Sequence, residues 1–124
     1  MVQSLEILKA LSDLNRLRIV AALRRHDELC ACQITELLQV TGATVSRHLS
    51  VLQHAGLLES RKEGRWIHYR LASPVGTKPL LRWLEASYAE SEQLQADFQA
   101  LEKIVGIGRE ELCRQQRGEE CCPK

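Results

Sequence analysis

The sequence predicts a mainly α-helical domain with a small β-hairpin, and three patterns in its 124 residues carry this prediction. Through the first half of the chain, apolar residues recur every three or four positions, which is the period of an amphipathic helix. Residues 57–71 instead contain two strand-like runs, and residues 67–71 alternate between apolar and polar, as strands do. One long helical pattern then follows Pro79. We therefore expect one domain over residues 1–105 and a flexible, cysteine-containing tail over residues 106–124.

Four short helices are predicted before the hairpin. The first covers residues 4–11, and Asp13 is suited to cap the second. The third begins near Ala31, and Thr41 is an N-cap candidate for the fourth, which Gly56 ends. The polar side chains that point outward from this fourth helix are Thr44, Ser46, Arg47 and Ser50.

Two strand-like runs, LLESRK and RWIHYRL, are joined by Glu63 and Gly64 and predict a two-stranded hairpin. The basic residues around its tip are Arg61, Lys62 and Arg65. The long final helix carries its apolar residues on one stripe, which consists of Leu84, Tyr88, Leu94, Phe98, Leu101 and Val105. This stripe could pack against a second copy or close the core of its own monomer, and periodicity does not separate the two.

The net charge of +1 conceals a basic middle and an acidic end. Residues 14–26 carry four arginines and no acid, residues 41–71 have a net charge of +3, and residues 85–120 have −5. Such asymmetry suggests a polyanion-binding surface, although a charge run is often only a solvated face. No apolar run approaches the ~20 residues that span a bilayer, and the start lacks the features of a signal peptide. We expect a cytoplasmic protein without a membrane partner.

Five cysteines are an odd number, which fits a closed disulfide framework poorly and fits reduced thiols better. They are Cys30, Cys32, Cys113, Cys121 and Cys122. Thiolates are soft ligands that favour thiophilic ions over Mg²⁺ or Ca²⁺. The cysteines therefore indicate either metal binding or redox chemistry.

The spacing of Cys30 and Cys32 bears on how they could bind one ion. Two residues advance about 200° around an α-helix, so both sulfurs cannot face one ion while that turn is coiled. Alternate residues of an extended segment do face the same way. Ion capture should therefore compete with the start of the third helix. Oxidation of the pair is a rival interpretation, and so is a packing role for one small buried thiol.

The third and fourth helices and the hairpin together have the outline of a winged helix-turn-helix. A helix fits the major groove of DNA, where arginine can make paired hydrogen bonds to guanine and hydroxyl side chains can reach a base or a phosphate. The cations of the hairpin, or wing, can lie against phosphates or in the minor groove. The sequence therefore predicts a protein that binds double-stranded DNA.

The segments LSDLNRLRIVAAL, ELCAC and TVSRHLSVLQHAGLLESRKEGRWIHYRL closely resemble the ArsR/SmtB family of metal-responsive repressors, in particular its arsenic-sensing branch. The resemblance covers residues 5–71 by motif and residues 75–105 in general character. It implies a homodimer, formed through the first and last long helices, that represses from an operator and is released by a metal or metalloid. Carried over by position, the groove-facing residues are Ser46, Arg47 and His48, with Thr44 and Ser50 beside them and the RKEGR turn as the wing. For His48, a helix-packing role stays open.

The resemblance further implies arsenite as the inducer, with antimonite or cadmium also possible at Cys30 and Cys32. The arsenic-sensing branch typically has a third cysteine three residues later, where this chain has Thr35. A small thiol, a hydroxide or a cysteine of the tail could then complete the site. Many relatives bind zinc on the last helix, but here that helix contains no histidine, so we do not expect zinc there.

Two other classes of protein compete with the repressor. An enzyme such as an arsenate reductase would use a cysteine nucleophile, which usually lies on a phosphate-type loop or in a C-x-x-C helix start after a strand. We expect no strand before Cys30 and no enzymatic activity. A protein-interaction module could share the helices but would not need the basic wing.

Overall fold

The structure is a computed structural model that describes residues 2–72, 77–107 and 111. The elements within these ranges are α1 (Val2–Ala10), α2 (Leu14–Arg25), β1 (Leu29–Cys30), α3 (Ala31–Leu38), α4 (Gly42–His54), β2 (Leu58–Glu63), β3 (Trp66–Leu71), α5 (Lys78–Tyr88) and α6 (Glu92–Val105). The predicted winged helix-turn-helix is confirmed: α3 and α4 are its helix pair, and β2 and β3 form its wing. Cys113, Cys121 and Cys122 lie outside the described residues, so the tail stays a prediction.

The helix boundaries are set by side-chain caps and one sharp turn. Asp13 caps α2 as predicted, because its Oδ2 accepts a hydrogen bond from the backbone N–H of Arg16 at 3.1 Å. Thr41 caps α4 in the same way, accepting from the N–H of Thr44 at 3.2 Å. Between these helices, α3 is followed by its C-cap Gln39, whose φ of 58° lies in the left-handed region and turns the chain toward α4.

The sheet has a third strand, β1, which the sequence did not reveal. Leu29 pairs with Tyr69 and Cys30 pairs with His68, so the strands are antiparallel in the order β1-β3-β2. The predicted hairpin is thus part of a larger sheet, and the expectation that no strand precedes the helix start at Cys30 is wrong. A strand of two residues is too short to show an alternating pattern.

The predicted single C-terminal helix is in fact two helices, separated by residues 89–91. Ser91 begins the second of these, α6, by accepting a hydrogen bond from the N–H of Leu94 at 3.2 Å. Tyr88 and Leu94 are six positions apart, about 600° around a helix, so one continuous helix would put them on different sides. The break instead brings the rings of Tyr88 and Phe98 together, edge to face, with centroids 6.2 Å apart.

One apolar core joins the helices to the sheet. Its fully buried side chains include Ile19, Ile34, Leu49, Leu52, Leu57 and Leu101. Because α2, α3, α4 and α6 all contribute to it, the core fixes the rotation of the helix pair. Across the described ranges, no helix combines the length and the apolar character that a membrane span requires.

Candidate nucleic-acid interface and thiol site

The outward face of α4 is polar, as predicted. The buried side of this helix is formed by Val45, Leu49 and Leu52. With that side fixed in the core, Ser46, Arg47 and Ser50 are exposed. Thr44 is half-buried, and its Oγ1 lies 2.9 Å from the Oγ1 of Thr41 at the helix start. The exposed face can therefore offer one guanidinium and two hydroxyl groups to a groove.

His48 is buried, unlike the polar residues on either side of it. Only 7% of its surface is accessible, and its Nδ1 lies 3.3 Å from Nη1 of Arg16. Burial lowers the pKa of the imidazole, the carboxylate of Asp13 opposes this shift, and the charges of Arg16 and Arg47 add to it. This position favours the helix-packing role for His48, while its predicted place among the DNA-binding residues stays a prediction.

Arg16 links three helices, and the sequence showed it only as one of a group of arginines. Its Nε donates to the carbonyl of Ala10 at 2.6 Å and its Nη2 to that of Lys9 at 3.4 Å, so it satisfies carbonyls at the end of α1. The same guanidinium faces His48 on α4. Arg16 therefore fixes α1, α2 and α4 relative to one another.

Among the wing cations, Arg61 is paired within the protein. Its Nε and Nη2 donate to the two carboxylate oxygens of Glu28 at 2.7 and 2.8 Å, and its Nη1 lies 3.7 Å from Glu63. The hydrogen bond with Arg61 lowers the pKa of Glu28 and raises that of Arg61. A phosphate would therefore have to compete with Glu28 for this guanidinium.

Lys62 and Arg65 are exposed near the tip of the wing. Gly64 precedes Arg65 in the turn and has a φ of 63°, a conformation that glycine adopts without strain in tight hairpins. The guanidinium of Arg65 lies 5.3 Å from the ring centre of Trp66. Their exposure makes both cations accessible to a polyanion.

Cys30 and Cys32 lie at the junction of β1 and α3. Both thiols are buried, and no disulfide joins them. Cys30 has an extended backbone with φ −86° and ψ 163° and is the N-cap of α3, whereas Cys32 lies inside the helix. The N–H of Cys30 donates to Oε1 of Gln33 at 2.8 Å, which completes a capping box. The pair thus spans the junction of β1 with the first turn of α3, the turn that binding of one ion by both sulfurs was expected to disturb.

Thr35 occupies the place of the third cysteine in the arsenic-sensing pattern. Its Oγ1 donates to the carbonyl of Ala31 at 2.8 Å, so the hydroxyl is used within the first turn of α3. In the parts of the chain that are described, no group of three or more His, Cys, Asp or Glu side chains is arranged to hold a metal ion. A third ligand would therefore come from rearrangement, from a small molecule or from residues beyond these ranges.

The far end of α3 is held by a buried ion pair. Arg18 donates to both carboxylate oxygens of Asp97, at 2.8 and 3.0 Å, and to the carbonyl of Leu37 at 3.1 Å. Gln93 adds a hydrogen bond to Asp97 at 3.0 Å. Asp97 was noted in the sequence only as one acid of the last helix. Nothing in the local sequence marks it as the partner of a residue 79 positions away.

Known proteins similar to this chain are regulators of transcription. Residues 13–60 match the family model described as "Bacterial regulatory protein, arsR family". The arsenical resistance operon repressor of Escherichia coli K12 is 38% identical over 92 residues, which cover 74% of this chain and 79% of that protein. The cadmium resistance regulatory protein CadC of Listeria innocua is 46% identical over 61 residues, or 49% of this chain and 51% of the relative.

Solved structures with the same fold are regulators as well. HlyU from Vibrio cholerae superposes with a TM-score of 0.64 at 28% identity and covers 71% of this chain and 94% of its own. The transcriptional repressor PagR of Bacillus anthracis superposes with a TM-score of 0.58 at 29% identity, and the match covers 66% of this chain and 92% of PagR. The similarity thus extends over most of the described fold.

Proposed function

Because this chain belongs to the arsR family of bacterial regulatory proteins, we propose that it is an arsenite-responsive repressor. It binds operator DNA as a homodimer and is released when trivalent arsenic binds the thiolates of Cys30 and Cys32. The observation that carries this proposal is the position of two buried thiols, not joined by a disulfide, at the start of α3, the first helix of the DNA-binding pair. The identity with an arsenical resistance repressor supports the choice of arsenic.

In this proposal, DNA is bound by the exposed face of α4 and by the wing. Arg47 can donate two parallel hydrogen bonds to guanine, while Ser46 and Ser50 reach nearby bases or phosphates. Lys62 and Arg65 neutralise phosphates beside the groove, which adds affinity that falls with salt. Arg61 contributes less directly because Glu28 already holds it. His48 lies beneath this surface, where it packs α4 against Arg16.

Arsenite, As(OH)₃, forms two As–S bonds with the two cysteines and releases two molecules of water. A hydroxide, a small thiol or one of Cys113, Cys121 and Cys122 provides the third ligand. Cys30 is extended and Cys32 helical, so drawing both sulfurs onto one atom distorts the helix start. A hundredfold loss of operator affinity requires only ~2.7 kcal/mol of coupling between the two sites.

Exposed apolar side chains support the homodimer. Leu5 and Leu8 on α1, Leu14 on α2 and Trp83 on α5 are each at least half exposed. Burying such side chains against a second copy removes apolar surface from water and is favourable. A dimer can then place its two α4 helices on half-sites about 34 to 36 Å apart.

The test is operator binding by the reduced protein, with arsenite and zinc titrated in parallel. Wild type should lose roughly a hundredfold in operator affinity with arsenite, whereas Cys30→Ser and Cys32→Ser should bind operator and stay bound. A variant with serine at all three tail cysteines is the matched control. If its arsenite response is weaker than that of wild type, the tail provides the third ligand; if the response is unchanged, the tail does not. Release of both single variants by arsenite would reject the proposed site.

Cadmium is the second candidate inducer. The 46% identity with a cadmium resistance regulator supports it, and thiolates do not separate cadmium from arsenic by softness. A cadmium arm in the same titration compares the two ions. If cadmium releases the operator at lower free concentration than arsenite does, cadmium replaces arsenic as the inducer.

A further inference from the structure

We propose that the thiol site acts on DNA through the wing, with Glu28 as the positioning residue that connects them. This inference rests on the proposed function, since it concerns the effect of an ion bound at Cys30 and Cys32. It differs from a shift of the whole helix pair, in which α4 would move with α3. The contacts of the residues around β1 support this inference.

Cys30 lies in the same row of the sheet as two residues of the wing. Cys30 pairs with His68 on β3, and His68 pairs with Arg61 on β2. Directly opposed residues of antiparallel strands point to the same face, so these three side chains share one side of the sheet. His68 Nε2 also lies 3.3 Å from Oε1 of Glu63, next to the turn. A displacement of Cys30 is therefore passed directly to β3, the wing strand at the centre of the sheet.

Glu28 provides a second connection, across the whole sheet. It lies two residues before Cys30, yet both of its carboxylate oxygens bind Arg61 on β2 at 2.7 and 2.8 Å. Since β3 separates β1 from β2, this ion pair ties the two edge strands together. Two parallel hydrogen bonds fix the orientation as well as the distance of the arginine. When β1 moves, the pair has to break or the wing has to follow.

The other end of α3 is poorly suited to transmit the movement. Arg18 binds the last-turn carbonyl of Leu37 and is itself held by Asp97 of α6, and 12% and 6% of the two side chains are accessible. The connection to α4 begins at Gln39, directly after this anchored turn. An unwound first turn of α3 therefore meets a fixed far end, whereas β1 has two residues and lies at the edge of the sheet, beside β3.

Hydrogen exchange of the reduced full-length protein, with and without arsenite, tests this directly. We expect amides of residues 58–71 to exchange roughly tenfold faster when arsenic is bound, while those of residues 42–54 keep their protection. Faster amide exchange at residues 42–54, with unchanged exchange at residues 58–71, would overturn the inference. A protein that forms no arsenic adduct by mass spectrometry, with no change at residues 28–34, would instead reject the proposed function itself.

A matched pair of variants tests the role of Glu28. Glu28→Gln should reduce the arsenite-induced loss of operator affinity roughly tenfold, because the wing no longer follows β1. Glu59→Gln is the control: it removes the same charge from the same sheet, but its hydrogen-bonded partner Arg70 is on β3, so this pair joins only the two strands of the wing. Equal responses of the two variants, or an unchanged response of Glu28→Gln that still binds arsenic, would contradict the inference.

Discussion

At the scale of single residues, Arg16 and His48 show how a buried polar pair can orient a DNA-binding helix. Three N–H groups of Arg16 are directed at α1 carbonyls and at the imidazole of α4. A neutral imidazole can present Nδ1 as an acceptor to this guanidinium, whereas an imidazolium has no acceptor and carries the same charge. A neutral His48 therefore adds to the apolar core in orienting α4.

The lowered pKa of His48 predicts that acid destabilises the protein. Burial holds this pKa below its ordinary value of 6.5, so the unfolded chain takes up the proton first as the pH falls. Stability is then lost below about pH 6.5 until the folded form is protonated too. Urea unfolding at pH 7.5 and 5.5 should show that the free energy of unfolding falls more for wild type than for His48→Gln when the pH is lowered. Equal losses would contradict this role.

At the scale of elements, α3 is held differently at its two ends. Its start depends on the capping box of Cys30 and Gln33 and on a strand of two residues. Its last turn is anchored by a guanidinium, a carboxylate and an amide that are contributed by α2 and α6. This difference underlies our proposal that the first turn changes while the last turn and α4 keep their positions.

Asp97→Ala should therefore destabilise the fold by about 3 kcal/mol, because it leaves the charge of Arg18 buried without its partner. The control is Glu85→Ala, which removes an exposed pair with Arg24 and should change the free energy of unfolding by less than ~0.5 kcal/mol. Urea unfolding of both variants measures the difference. Similar losses in the two would mean that the Arg18–Asp97 pair does not anchor α3.

The elements that the sequence predicts well are those with strong local signals. Asp13 and Thr41 are caps because their side chains reach an N–H three residues later, which depends on local sequence alone. The Glu28–Arg61 and Arg18–Asp97 pairs join residues far apart in the chain, and no periodicity specifies them. The same holds for β1, since it exists only where β3 provides a partner. The spacing of the two thiols singled them out in the sequence, but which residues surround them could be seen only in the folded structure.

At the scale of the whole molecule, each protomer of the proposed homodimer would bind one half-site, so we expect affinity and release to depend on dimer formation. Linking two half-site contacts raises affinity by roughly 10²–10⁴ without any new contact type. A small change in either wing then affects both half-sites at once. Modest coupling at each thiol site can therefore produce a large change in operator occupancy.

Leu8→Glu should shift the protein to monomers and lower operator affinity at least ~100-fold, because a charge replaces an apolar side chain in the proposed dimer interface. Sedimentation at micromolar concentrations and operator titration measure the two effects. Glu6→Gln, exposed on the same helix, should leave both unchanged. A dimeric Leu8→Glu protein would exclude this residue from the interface.

The measurement that most directly tests whether arsenic and operator exclude each other is the affinity of the reduced protein for arsenite, determined alone and saturated with operator DNA. Linkage requires the operator to weaken arsenite binding by the same factor, roughly a hundredfold, by which arsenite weakens operator binding. Equal arsenite affinity in the free and the operator-bound protein would contradict the proposed mechanism.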